Sequence, residues 1–283
     1  MGEADKDLEE YIKKEISKSG FPLETKAATI LDSKGWSVLP HLIYPTENHG
    51  IQEYREMDIQ ATKTSEIQRV ADNFVVSHQI LVIECKKQAE KPWVFFEQDK
   101  PNTDIFTLKI SPLRCYGIMG DFFRSHYYYE KKPCAYHFPA FVSKGEPDQI
   151  LKAINQVVDA TVYTLGMEIN LFEKFIVKRI SFIYPIILLD GKLFSAKVQS
   201  NGDIQLNESQ YLQLKVSRAL SNPEKMEFNE GNIAQSIKYF IIDIVQKDYF
   251  SEFLNRFSWE KTDRGTFQKK KGYASEITCR AQD

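Results

Sequence analysis

ILVIECKKQ, running from Ile80 to Gln88, is the stretch whose reading decides the fold. Its first half is continuously apolar, and its second half is charged. A strand buried on both faces of a sheet reads as such a run, without the alternation expected of a half-exposed strand. Side chains alternate across a strand, so Glu84 and Lys86 share one face just where the apolar run ends. Charged groups entering a buried strand demand partners.

Working outward, the apolar run extends back to about residue 75, and 55–61 (REMDIQA) reads as a neighbouring strand carrying Asp58. Residues 36–44 read as a strand closed by Pro45, with 46–54 as a polar turn region. Before them, Leu23, Ala27, Ile30 and Leu31 recur at helical spacing up to Gly35, a natural helix stop. Residues 5–19 read as a charged helix, interrupted by Gly20 and Pro22. Downstream, 147–173 carries helical spacing and 182–189 reads as a strong strand. Asp190-Gly191 signals a hairpin, with 193–198 returning as its second strand. A further strand, 239–245, precedes an amphipathic helix at 249–257. The order is helix, three strands, helical crossover, then more strands. It predicts an α/β fold, a central mixed sheet flanked by helices with additional C-terminal strands. We divide the chain into an N-terminal helical extension (1–20), a single domain (21–258) with an aromatic-rich insertion around 113–142, and a polar tail (259–283).

The bulk properties bound the function classes. A chain of 283 residues with 42% apolar side chains buries a full core. Its formal charge of -2 argues against coating a polyanion along its whole surface, yet leaves room for a local basic cleft. The four cysteines, Cys85, Cys115, Cys134 and Cys279, lack the spacing of a disulfide framework, which suits a reducing cytosol. The N-terminal stretch is polar, unlike a signal peptide, and no apolar stretch approaches a membrane span, so a cytoplasmic protein is expected. Neither a Walker loop nor a dinucleotide fingerprint occurs, and an ATP-driven motor would need a partner chain.

Phosphodiester hydrolysis needs a charge-dense cation to activate water, and hard divalent ions prefer carboxylate oxygen. Glu84 and Lys86 on one strand, with Asp58 on its neighbour, supply two acids and a base once the strands pair. This pattern resembles the PD-(D/E)XK, or restriction-endonuclease-like, nuclease superfamily, and is most similar to the branch of junction resolvases and related restriction endonucleases. The resemblance covers residues 23–88. The proline of the signature is replaced by Met57.

The resemblance implies a restriction-endonuclease-like fold and a Mg²⁺- or Mn²⁺-dependent endonuclease hydrolysing DNA, in restriction, defence or repair. It implies that Asp58, Glu84, the Cys85 carbonyl and Glu24, on the first helix, hold the metal. Lys86 would orient the attacking water and stabilise the transition state. DNA is the expected partner, and a homodimer or a partner protein would complete the assembly. Each residue also has a plainer role: Glu84 and Lys86 as a charged strand end, Asp58 as a partner of Arg55, Glu24 as a first-turn acid favoured by the helix dipole. Glu56, two positions before Asp58, is an auxiliary ligand or a structural pair, and Gln88 a phosphate contact or a solvent-facing residue. Lys87 and Lys91 are backbone contacts or solvated lysines.

Between residues 116 and 141 lie nine Phe or Tyr, with Arg124, His126, Lys131 and Lys132. They either stack bases or, the reading preferred here, pack an insertion against the sheet. Cys115, His126, Cys134 and His137 offer zinc chemistry without a zinc-binding spacing. The alternative to an enzyme is a catalytically inactive nuclease-fold protein that binds nucleic acid or acts as a scaffold.

Overall fold

The computed structural model describes residues 3–48, 51–70, 73–98, 134–138, 148–172, 178–217, 239–257, 259–261 and 267–269. Helices α1 (Glu3–Lys18) and α2 (Phe21–Ser33) lead into strands β1 (Ser37–Asn48), β2 (Ile51–Val70) and β3 (Asn73–Gln98), which form an antiparallel meander. After the short β4 (Cys134–His137), helix α3 (Gln149–Phe172) crosses the sheet and delivers β5 (Lys178–Val198) parallel to β3. A parallel neighbour requires a crossover of this kind, because no tight turn returns a chain in the same direction.

Both faces of β3 are covered, as the apolar run demands. Ile80 and Val82 enter a cluster under α3, with Ile150, Ala153, Ile154, Val157 and Val158 of that helix. Leu81, Ile83 and Cys85 enter the opposite cluster, under Leu23, Ala27 and Leu31 of α2. Helix α4 (Phe250–Phe253) and the 3₁₀ turn Leu254–Phe257 complete that second layer. The Arg55 guanidinium pairs with Asp159, and the Gln60 amide donates to Thr164 Oγ1 at 3.3 Å, which ties β2 to α3. Lys63 Nζ donates to the Lys34 carbonyl at 2.9 Å and so caps the C-terminal end of α2, where Gly35 adopts φ +76°.

Several sequence expectations are corrected. β1 runs through Pro45 to Asn48 and β2 starts at Ile51, so the region expected as a long turn is mostly strand. β1 is an edge strand, where a missing proline N–H costs no ladder bond. Asp190-Gly191 makes no hairpin. β5 continues through them, pairing Asp190 with Lys87 and Gly191 with Gln88. The reversal comes at Asn201-Gly202, where Gly202 adopts φ +89° and the strand β6 (Ile204–Glu208) returns along β5. Strand β7 (Tyr211–Ser217), between β4 and β8 (Tyr239–Gln246), was not expected. Its pairing with both closes a ring through β3, β4, β7, β8 and β5. In the expected tail, β9 (Trp259–Lys261) and β10 (Phe267–Lys269) pair as a ribbon. The insertion lies largely outside the described residues, including Cys115, His126, Lys131 and Lys132. Of its aromatics, Phe138 meets the Phe95 ring at 6.0 Å, as the packing reading requires. Among the described residues, no helix is long and apolar enough to cross a membrane.

Gly191 is required by close approach. A Cβ there would lie 2.4 Å from the Gln88 carbonyl oxygen, inside any tolerable contact. Gly191→Ala therefore forces β3 and β5 apart two residues beyond Lys86. We expect a loss of about 1–3 kcal/mol, measured as a lowered urea midpoint.

Candidate active site

The amphipathic spacing of α2 buries Leu23 and leaves Glu24, its neighbour in the first turn, partly covered and facing His41 of β1. A methyl group on Gly20 would lie 2.8 Å from Glu24 Oε1, so the carboxylate sits where the missing side chain leaves room. Asp58 comes from β2, and its Oδ2 accepts the Cys85 backbone N–H at 2.7 Å, linking it to β3. Glu84 points to the α3 side of β3 with its side chain only 3% exposed, and Lys86, on the same face, donates to Glu84 Oε1. Glu24, Asp58, Glu84 and Lys86, from the first turn of α2 and the interiors of β2 and β3, thus act on one another electrostatically.

Electrostatics show how close they are. Burial first, and the charge of Asp58 next, raise the Glu84 carboxyl to about 7 against the pull of Lys86. Burial raises Asp58 as well, while the Cys85 N–H and Lys86 oppose the shift. Glu24 is raised by burial first and by Asp58 next. Burial pushes the Cys85 thiol well up, so it stays protonated and its carbonyl is the donor this residue offers a cation. Three acids share a site with one partly buried lysine, an excess of acidic groups that a divalent cation would relieve.

Glu56 reaches the site by a route that simple alternation does not give. Val38 faces the α2 cluster, whereas Leu42 and Tyr44 face the α3 cluster. In β2, Met57 faces the α3 cluster, whereas Ile59 and Ala61 face the other. Both strands therefore exchange faces at one level, around His41 and Asp58. His41 has φ +53°, the left-handed region that non-glycine residues seldom occupy. The register on either side, Pro40 with Ile59 and Leu42 with Met57, sets His41 opposite Asp58. Its Nδ1 lies 2.5 Å from Glu56 Oε1 and its Nε2 3.7 Å from Glu24 Oε2. The sequence reading missed His41, because only the hairpin register places it at the site.

The donor chemistry, carboxylates with a peptide carbonyl, suits a hard divalent ion. As the side chains stand, no three His, Cys, Asp or Glu among the described residues surround one point closely enough to hold a metal. Glu84 is turned to Lys86 and Asp58 to the Cys85 N–H, so cation binding requires these carboxylates to rotate. Of the other candidates, Lys87 Nζ donates to the Ser17 carbonyl and anchors α1. The Gln88 carbonyl abuts Gly191. Arg55 pairs with Asp159 and, at 3.8 Å, with Glu53, rather than with Asp58. No protein-family model, curated protein sequence or solved structure matches the chain.

The raised Glu84 carboxyl has a consequence for stability. Folding favours its protonated form, so its contribution is complete below the ordinary value near 4.5 and disappears as pH rises through about 7. In chelator, stability should fall between pH 5 and pH 8, with Glu84 accounting for a decrease on the order of 3 kcal/mol. Glu84→Gln should flatten that part of the profile. Urea unfolding across this range checks both, and an equally steep profile in the variant would assign the dependence to other groups.

Proposed function

We propose that the chain is a Mg²⁺- or Mn²⁺-dependent endonuclease of the restriction-endonuclease-like type, hydrolysing DNA in restriction, defence or repair. One observation carries this reading: carboxylates from α2, β2 and β3 converge with Lys86, burial raises each of them, and the charge of Asp58 raises both Glu24 and Glu84. The order of the elements, a helix, an antiparallel meander and a helical crossover to a parallel strand, supports the resemblance drawn from the sequence.

Asp58, Glu84, Glu24 and the Cys85 carbonyl would hold the cation. A bound divalent ion supplies Lewis acidity toward a phosphoryl oxygen and a more acidic bound water. In this reading Lys86 leaves Glu84, directs its ammonium at the attacking water and balances charge developing on the phosphate. Leu8, Tyr11, Ile12 and Ile16 are exposed on one side of α1, which supports pairing of two copies in a cytoplasmic assembly able to cut both strands.

The Glu84–Lys86 ion pair itself favours a second reading, a nuclease-fold protein that binds nucleic acid or acts as a scaffold without turnover. Supercoiled and branched DNA incubated with Mg²⁺ or Mn²⁺ separates the two. We expect cation-dependent cutting that drops about a hundredfold or more in Lys86→Ala. Retention of DNA in gel shifts, with equal absence of cutting in both proteins, would favour the binding reading.

A further inference from the structure

His41 is outside the acid–acid–lysine pattern, yet it occupies the site in a specific way. Its Nδ1 lies 2.5 Å from Glu56 Oε1, and since an ionised carboxylate only accepts, the hydrogen bond is one that Nδ1 donates. Its Nε2 faces Glu24 Oε2 at 3.7 Å. The ring meets Phe21 edge-on, with centroids 5.8 Å apart, and this contact limits its rotation. A histidine with one nitrogen bonded to a carboxylate and the other directed at a second donor has the arrangement of a metal-bound imidazole with its supporting acid. A cation about 2.1 Å from each atom would see Nε2 and Oε2 at roughly 120°, and side-chain movement of about 0.7 Å would close this to an octahedral angle.

From this geometry we infer that His41 Nε2 and Glu24 Oε2 together ligate a first-row transition ion, with Glu56 orienting the imidazole, so that the site selects Mn²⁺ over Mg²⁺. The inference rests on the metal-dependent reading above and adds a nitrogen ligand to its oxygen donors. Imidazole nitrogen binds transition ions well, whereas Mg²⁺ favours oxygen and gives up its water reluctantly. The backbone agrees with a role at this position: a left-handed non-glycine residue is costly, and such residues concentrate at functional sites.

The full chain loaded with Mn²⁺ provides the test without any mutation. Pulsed electron paramagnetic resonance should show ¹⁴N coupling from one imidazole. In His41→Gly, which adopts the same backbone angle without strain, that coupling should vanish. Titration calorimetry should show Mn²⁺ affinity falling about tenfold in this variant while Mg²⁺ affinity changes little. His41→Asn, also tolerant of the left-handed region, should lose the imidazole coupling in the same way. Mn²⁺ bound to the wild type with no ¹⁴N coupling would overturn the role of His41 and leave the oxygen-donor site standing. No Mn²⁺ binding at millimolar concentration would instead overturn the metal site as a whole, and this inference with it.

Discussion

The Glu84 carboxylate is held inside a largely apolar sheet, and the arrangement of the surrounding structure follows from accommodating it. Ile80 to Ile83 fix β3 between two helical layers, leaving Glu84 almost no access to water. A charge in that position is tolerable only with a partner, and Lys86, two residues along the same face, is the partner the strand itself provides. Asp58 and Glu24 then add negative charge beside a group already strained by burial. A fold concerned with stability alone would gain by replacing these acids with apolar side chains, since buried ion pairs seldom outperform good packing. The proposed cation site gives these acids a reason to be kept.

Two devices bring the acids together. The parallel pairing of β3 with β5 holds the Glu84–Lys86 strand centrally, with a close approach of the two backbones at Gly191, opposite Gln88. The exchange of faces in β1 and β2 works on the other side. By turning over at His41 and Asp58, the hairpin keeps one half packed on α2 and the other half packed on α3. The level at which it turns is the level of the carboxylates. Local backbone strain and electrostatic repulsion thus coincide in space.

Much of this was legible in the residues. The run from Ile80 to Ile83 determined a central strand covered on both sides, because a half-exposed strand alternates apolar with polar side chains. Leu23, Ala27 and Leu31 determined the helix that covers it, and alternation placed Glu84 with Lys86. Other features depended on contacts distant in sequence. Asp190-Gly191 has the composition of a tight turn, but the glycine serves the Gln88 carbonyl of another strand, and only the β3–β5 pairing creates that need. The ring closed by β4 and β7 likewise depends on long-range pairing, which short apolar segments do not specify by themselves.

For the candidate site the division is sharper. The sequence by itself determined which acid and which lysine share one face of a buried strand, because side-chain alternation and hydrophobic burial act over a few residues. Only the tertiary structure decided that Glu24 turns toward Asp58, that Glu56 is reached through His41, and that His41 stands opposite Asp58. Those relations depend on hairpin register, on a left-handed residue that reverses the faces of two strands, and on the docking of α2 against the sheet. Each is set by packing between segments far apart along the chain, where local periodicity carries no information.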